Sequence, residues 1–469
     1  MLKKLFLLTF VLVLFTACGA NSETTETITN ESNAPALMEG NNTGTQTTPE
    51  QTTTQGANFI YLVEARYQET MHFHNGFAPV RYNDVWGFID TTGREVVRPQ
   101  FSWVTHFSEE GFSSVQNADG HWGLIDATGQ VVIPFEHQSA LFFNEGFAPV
   151  LLNQYPNFEW GFIDMTGRLL NTASSYSSVN PFINGFAPVL VGDWETGLWS
   201  FIDTTGREII PPTYSFIGSF MSNGLAPVSI GHDWYTRQHG FINTAGEVVI
   251  PLVYSQVTHA PNHDLLGVGL VSDDGETWTW GVMNSAGEEI LPLRYQSVGL
   301  WMDCGHILFQ LDGLWGMKDS TGREVIPPVH FSIGVFHNDL APIWNEDFGQ
   351  QGFIDRAGNV VISPRFESAG NFNNYGVATF LQGGWEAGTM GLIDREGNVV
   401  LDARFNVISS NDDGFFTVRI GDWETGLWGV IDSRGVNVID VQFHQLWPAI
   451  DGIMPFRDEN YLWGFIKMN

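Results

Sequence analysis

Apolar and polar residues alternate along most of this chain in short runs, and Gly, Pro or Asp closes each run. Gly76-Phe77-Ala78-Pro79-Val80 is followed by Trp86-Gly87-Phe88-Ile89-Asp90, then by Glu95-Val96-Val97. Period-two alternation rich in Val, Ile, Phe and Trp, punctuated by breakers, predicts half-buried β-strands. No segment offers ten or more residues with the 3.6-residue period that an amphipathic helix needs, so an all-β chain is expected.

The pattern repeats. A Trp-Gly pair, a Phe-Ile-Asp-like triplet and a Gly-ended turn recur eleven times, from Trp86–Gly93 to a truncated Trp463-Gly464-Phe465-Ile466-Lys467. The second-position residues, Gly87 through Gly464, lie 35 to 41 residues apart. A fixed period in that range predicts a tandem array whose units bury their faces only against their neighbours. Each unit is expected to hold three clear strands and a weaker fourth, as propeller-like blades or, alternatively, as an open β-superhelix or solenoid. The phase of the two ends bears on closure. Residues 59–73 align with the latter half of a unit, the chain ends after the first half of one, and joined they make one complete unit.

The Asp-x-x-Gly step suits a hairpin between successive strands. Asp90, Asp126, Asp164, Asp203, Asp319, Asp355, Asp394 and Asp432, with Asn243 and Asn284, can accept backbone N–H bonds there, and the following Gly supplies a positive φ. The spacing lacks the dense alternating carboxylates of a calcium loop, and no metal site is expected. Eight tryptophans hold the repeated position: Trp86, Trp122, Trp160, Trp199, Trp280, Trp315, Trp428 and Trp463. They are expected to be structural core, with the adjacent Gly allowing close approach of a neighbouring strand. His239, Gln351 and Met390 replace Trp in three units, so the position carries no common catalytic duty.

These residues resemble the bacterial WG-repeat family (WG β-repeats, also called KWG repeats) over about residues 59–469. The resemblance implies a secreted or surface all-β repeat protein and brings no common catalytic residues with it.

The amino-terminal segment reads differently. Lys3 and Lys4 precede an apolar stretch from Leu5 to Phe15, and Thr16-Ala17 precedes Cys18. That is the order of a secretory signal, here residues 1–17, and the apolar stretch is too short to span a bilayer. Phe15-Thr16-Ala17-Cys18 resembles a bacterial lipobox, in which Cys18 would be lipidated. Residues 18–58 are Thr-, Asn- and Glu-rich with almost no large apolar side chain, the composition of a disordered tether. The expected location is therefore extracytoplasmic, at the cell surface, with the membrane reached through the lipid anchor alone. Cys304 is the one other cysteine, so no intramolecular disulfide is expected.

The chain carries 52 acidic against 20 basic residues, a net charge of −32 that becomes −34 once Lys3 and Lys4 are removed. Nucleic acid, which requires clustered Lys and Arg, is excluded as a partner. Motifs for a zinc protease, a serine hydrolase, a phosphate loop or a dithiol are absent, and no cofactor is expected. His72 and His74 form the one close His pair, more readily a solvated strand edge than a metal site. Candidate chemistry concentrates in the variable connection before each Trp-Gly pair. Gly192-Asp193-Trp194-Glu195-Thr196-Gly197 recurs identically as Gly421-Asp422-Trp423-Glu424-Thr425-Gly426, and Gly384-Trp385-Glu386-Ala387-Gly388 is related. Trp234 and Trp278 lie in further connections. An indole beside carboxylates at a loop tip suits a sugar ring or a protein patch. In the bland alternative the two identical loops are a recent duplication with their indoles folded back on the sheet edge. The expected function is non-enzymatic: a surface for an unknown protein partner, alternatively a cell-wall glycan module, and as a second alternative a carboxylate-based envelope enzyme.

Overall fold

The structure is a computed structural model that describes residues 59–153, 158–172, 176–233, 236–260, 263–300, 306–344, 349–384, 387–410 and 414–468. The chain divides into two units, Met1–Thr52 and Thr53–Asn469, and every described residue belongs to the second. The signal segment, Cys18, the tether and Cys304 lie outside the described residues.

The described residues form eleven small antiparallel sheets and no helix. Nine sheets have four strands, one has three and one has two. The first sheet shows the plan. A two-residue strand, Glu69–Thr70, pairs with Phe77–Tyr82, which pairs with Val85–Asp90, which pairs with Glu95–Phe101. The three clear strands and the weak fourth are thus present, the weak one leading.

The Trp-Gly-Phe-Ile run explains why the sheets stack. Adjacent residues of a strand face opposite ways. Phe88 enters a core shared with the second sheet, whereas Ile89 enters one shared with the eleventh. Both faces of the strand are therefore covered, and each fully buried Phe or Ile contributes roughly 1.5–3 kcal/mol. Gly87 shares the face of Ile89. A Cβ there would lie 2.4 Å from the Val97 carbonyl oxygen and 2.5 Å from the Pro99 nitrogen. The outer strand bulges over this spot, between the pairs Trp86–Phe101 and Phe88–Val97. Glycine at Gly87 lets this bulge close on its neighbour. In the fourth sheet Ser200 takes the position, fully buried, and its hydroxyl donates to the Ile210 carbonyl at 2.8 Å.

The Trp itself is less buried than expected. Trp86 and Trp463 are core residues, but Trp122, Trp160, Trp199, Trp280, Trp315 and Trp428 are only half-buried. Trp lies within the first three residues of its strand, near the mouth of the variable hairpin. The Phe or aliphatic residue two positions on, at mid-strand, is the buried one.

Eleven apolar clusters join the eleven sheets, each containing residues of two consecutive sheets. The eleventh sheet shares one cluster with the tenth (Met454, Phe456 and Ile466 with Val430 and Phe443) and another with the first (Phe465 and Ile453 with Ala78 and Val80). An open row would have one cluster fewer than sheets. Equal numbers make the order of contacts cyclic. The seam is covalently discontinuous: Phe59–Tyr67 pairs antiparallel with Trp463–Met468 and completes the eleventh sheet as its fourth strand. The two half-units at the chain ends do make one unit, which favours propeller-like blades over an open superhelix.

Candidate functional site

Antiparallel alternation sorts the turns between two ends of the sheets. The Asp-x-x-Gly hairpins and the turns after the short leading strands lie at one end. The variable hairpins before Trp-Gly all lie at the other, together with the crossings from one sheet to the next. The conserved plan of the repeat therefore gathers its variable connections along one edge, where loops can diverge without disturbing the core.

At the invariant end the Asx turns form as the sequence implies. Asp90 accepts from the Thr92 and Arg94 amides at 3.0 and 3.1 Å, and Gly93 has φ +81°. Asn243 and Asn284 accept equivalent bonds. The bonds favour the ionised carboxylates. The Thr321 hydroxyl, with further donors from Arg323, holds Asp319 down to about 2, and Thr hydroxyls likewise depress Asp126, Asp164 and Asp203. These are half-buried turn carboxylates, and among the described residues no Asp or Glu is fully buried. A catalytic acid is raised by burial, and these groups are shifted the other way.

At the variable end the twin loops are rigidly built. The Asp193 carboxylate accepts from the Glu195 amide (2.9 Å) and from the Thr196 amide and hydroxyl (both 2.7 Å), and Gly197 N–H donates to the Asp193 carbonyl at 2.8 Å. A Cβ on Gly197 would meet that carbonyl oxygen at 2.3 Å, so the turn admits only glycine there. Asp422 organises Glu424, Thr425 and Gly426 in the same way. The result is an indole at each tip, Trp194 77 % and Trp423 82 % exposed, with Glu195 and Glu424 exposed beside them.

The twins differ underneath. Arg419 lies 3.9 Å beneath the Trp423 ring centroid and 5.6 Å from that of Trp428. Arg419 is only 5 % exposed and its Nε has no hydrogen-bond partner; the two indoles and the charge of the nearby Asp422 carboxylate compensate its burial. The corresponding residue of the other loop is Leu190, paired with Trp199 as Arg419 is with Trp428. Sequence reasoning missed this contrast, although the aligned positions carry it.

The structure does not gather the tip residues into one site. Trp194 belongs to the fourth sheet and Trp423 to the tenth, with at least four sheets between them in either direction. Trp278 is not at a tip: it opens the strand Trp278–Met283, half-buried and stacked on Trp280 at 5.7 Å. Trp234, Trp385 and Glu386 lie outside the described residues. Of the His pair, His72 stacks on Trp447 at 4.8 Å, and His74 approaches His106 at 5.6 Å. Among the described residues no three His, Cys, Asp or Glu side chains are placed to hold a metal ion.

A family model described as "WG containing repeat" matches residues 61–86, 86–120, 122–155, 160–193, 199–232, 240–268, 280–315, 315–343, 352–384 and 390–422. The units beginning at Trp428 and Trp463 lie beyond these segments, yet both form sheets. No curated protein matches the chain. Similar solved structures include a eukaryotic initiation factor (8 % identity, 72 % of this chain, 87 % of that chain, TM-score 0.38). The Hsv2 protein of Kluyvelomyces marxianus is another (10 % identity, 62 % and 98 %, TM-score 0.30). The tricorn protease scores 0.19 at 10 % identity, over 85 % of this chain and 42 % of that one. Likenesses this distant leave function to be argued from the chain's own residues.

Proposed function

The chain belongs to the WG-repeat family, and from that premise we propose that it is a non-enzymatic binding scaffold, exported from the cytoplasm and held at the membrane by lipidated Cys18. Its cyclic array presents the variable hairpins of one edge to a protein partner. The observation that carries this reading is the pair of identical, internally hydrogen-bonded loops that hold Trp194 and Trp423 in solvent at separate sheets. A rigid exposed aromatic loses little entropy on binding, and two copies well apart allow one extended partner to be gripped twice. The depressed pKa values of the turn aspartates support a structural rather than a catalytic use of those aspartates.

A second reading, a cell-wall glycan module, is favoured by the chemistry of the same tips. A flat indole flanked by Asp193 and Glu195 offers a stacking face beside hydrogen-bond acceptors, which suits a sugar ring. Co-sedimentation of the mature chain, Cys18 replaced by Ser, with purified insoluble cell wall tests both. Wall binding that the Trp194→Ala/Trp423→Ala variant loses selects the glycan reading. With no wall binding, cross-linking at the cell surface to a protein, lost in the same variant, selects the first. Cross-linking and wall binding both indifferent to the two tryptophans would remove the tips from the function.

A further inference from the structure

Asx turns such as Asp90–Gly93 and Asp203–Gly206 stand at the end of the sheets opposite the tryptophan tips. There, beside the second and third sheets, a cleft of about 490 Å³ opens, a size that suits a small molecule. Three departures from the repeat create it. First, the third sheet, like the eighth, has no short leading strand among the described residues; residues 139–143 form no ladder with Phe147–Asn153. Second, Ser114 holds the register that Pro79, Pro149, Pro188, Pro227, Pro342 and Pro455 hold in six other sheets, opposite the mid-strand residue of the Trp-Gly strand. The Ser114 hydroxyl accepts the Leu141 amide at 2.8 Å, which ties residues 139–143 to the second sheet. Third, apolar side chains stand where other units are polar. Met165 occupies the turn position of Thr91, Thr204 and Ser285, and Phe142 is 63 % exposed at the mouth.

The polar content of the cleft is sparse and one-sided. Glu110 is its one carboxylate, His74 and His106 face each other at its side, and no Lys or Arg lines it. Burial holds His106 below the usual histidine range, so it adds no positive charge near neutral pH. The chain as a whole carries a large negative charge, which raises the local concentration of cations.

We propose that this cleft binds a compact apolar cation, its body against Phe142, Met165 and Leu124 and its ammonium group at Glu110. The site lies at the opposite end of the sheets from the tips and is independent of them. Titration calorimetry of the mature chain with 1-adamantylamine and the isosteric 1-adamantanecarboxylate is the test. The amine should bind one-to-one and saturably, the carboxylate at least tenfold more weakly. Glu110→Gln should erase that preference. Ser114→Pro, which installs the side chain six other sheets already carry, should weaken the amine at least tenfold. Phe142→Ser, a change at an exposed side chain, asks the same question should the proline variant melt early. Trp194→Ala/Trp423→Ala should leave amine binding unchanged, so this site and the tips fail separately. No heat from the amine on a folded chain, equal binding of the two compounds, or binding unaffected by the cleft variants would overturn the proposal.

Discussion

The carbonyl oxygen of Val63 lies 2.5 Å from the point where a Cβ on Gly464 would stand, the same relation Val97 bears to Gly87 inside a single unit. Residues at opposite ends of the chain thus reproduce a contact that elsewhere spans one hairpin. Gly464→Ala should force the seam apart or strain it, at a cost of about 1–3 kcal/mol of stability. Gly123→Ala, which meets the Ile133 carbonyl at 2.7 Å within one hairpin, should cost a similar amount. Thermal unfolding of the two variants checks this. Only Gly464→Ala should also raise amide exchange along Phe59–Tyr67.

Acid should loosen the array. The turn aspartates have folded pKa values below their ordinary 3.8, so the native state binds fewer protons than the unfolded chain as pH falls. Their contribution is complete above about pH 4 and disappears as pH drops through the folded values, which reach about 2 for Asp319. Melting temperature measured by circular dichroism should fall steeply between those limits. Asp319→Asn, which keeps an acceptor as Asn243 and Asn284 do, should flatten part of that slope.

Sheet-to-sheet hydrogen bonds give a third prediction. Asn75, Asn184 and Asn338 adopt φ near +50° in the turn just before the first long strand of their sheets, and each side-chain amide donates to the carbonyl of a buried Phe that precedes the next sheet's first long strand, at 3.0, 2.8 and 2.8 Å. Asn184→Gly keeps the backbone geometry and loses the bond, about 1 kcal/mol. Asn184→Ala also strains the left-handed backbone and should cost about 1 kcal/mol more. Denaturant unfolding of both variants separates the two contributions.

The twin loops offer an internal control. Trp423→Ala uncovers a guanidinium that has no hydrogen-bond partner at Nε, whereas among the described residues no cation lies over Trp194. Trp423→Ala should destabilise by about 1 kcal/mol more than Trp194→Ala, the scale of one cation–π contact. Arg419→Leu, the residue found at the twin position, should abolish that difference. The readout is the melting temperature of the three single variants and of Arg419→Leu/Trp423→Ala.

Local chemistry was legible in the sequence where one residue decides one conformation. Asp90-x-x-Gly93 announces its turn because only an Asx acceptor and a positive φ close it, and the half-units at the ends announce closure because neither is a sheet alone. Burial of the tryptophans was not legible. A large apolar ring reads as core, yet its depth depends on where the neighbouring sheet ends, so Phe88 rather than Trp122 or Trp199 fills the interior. The cleft was hidden for a related reason. Ser113-Ser114 in place of Ala-Pro reads as a mild substitution until its effect on the next unit's leading strand is seen.

The pairing of Phe59–Tyr67 with Trp463–Met468 also sets a timetable. The first of these strands leaves the ribosome long before its partner exists, while every intervening unit needs only residues just made. Most of the array can therefore assemble progressively, but its seam depends on a contact of near-maximal sequence separation, the slowest kind to form. Until the last strand arrives, Phe59–Tyr67 is an open edge able to pair with another chain. A stalled or truncated product would keep that edge, and an array left without its closing eleventh sheet would then favour exchange between molecules.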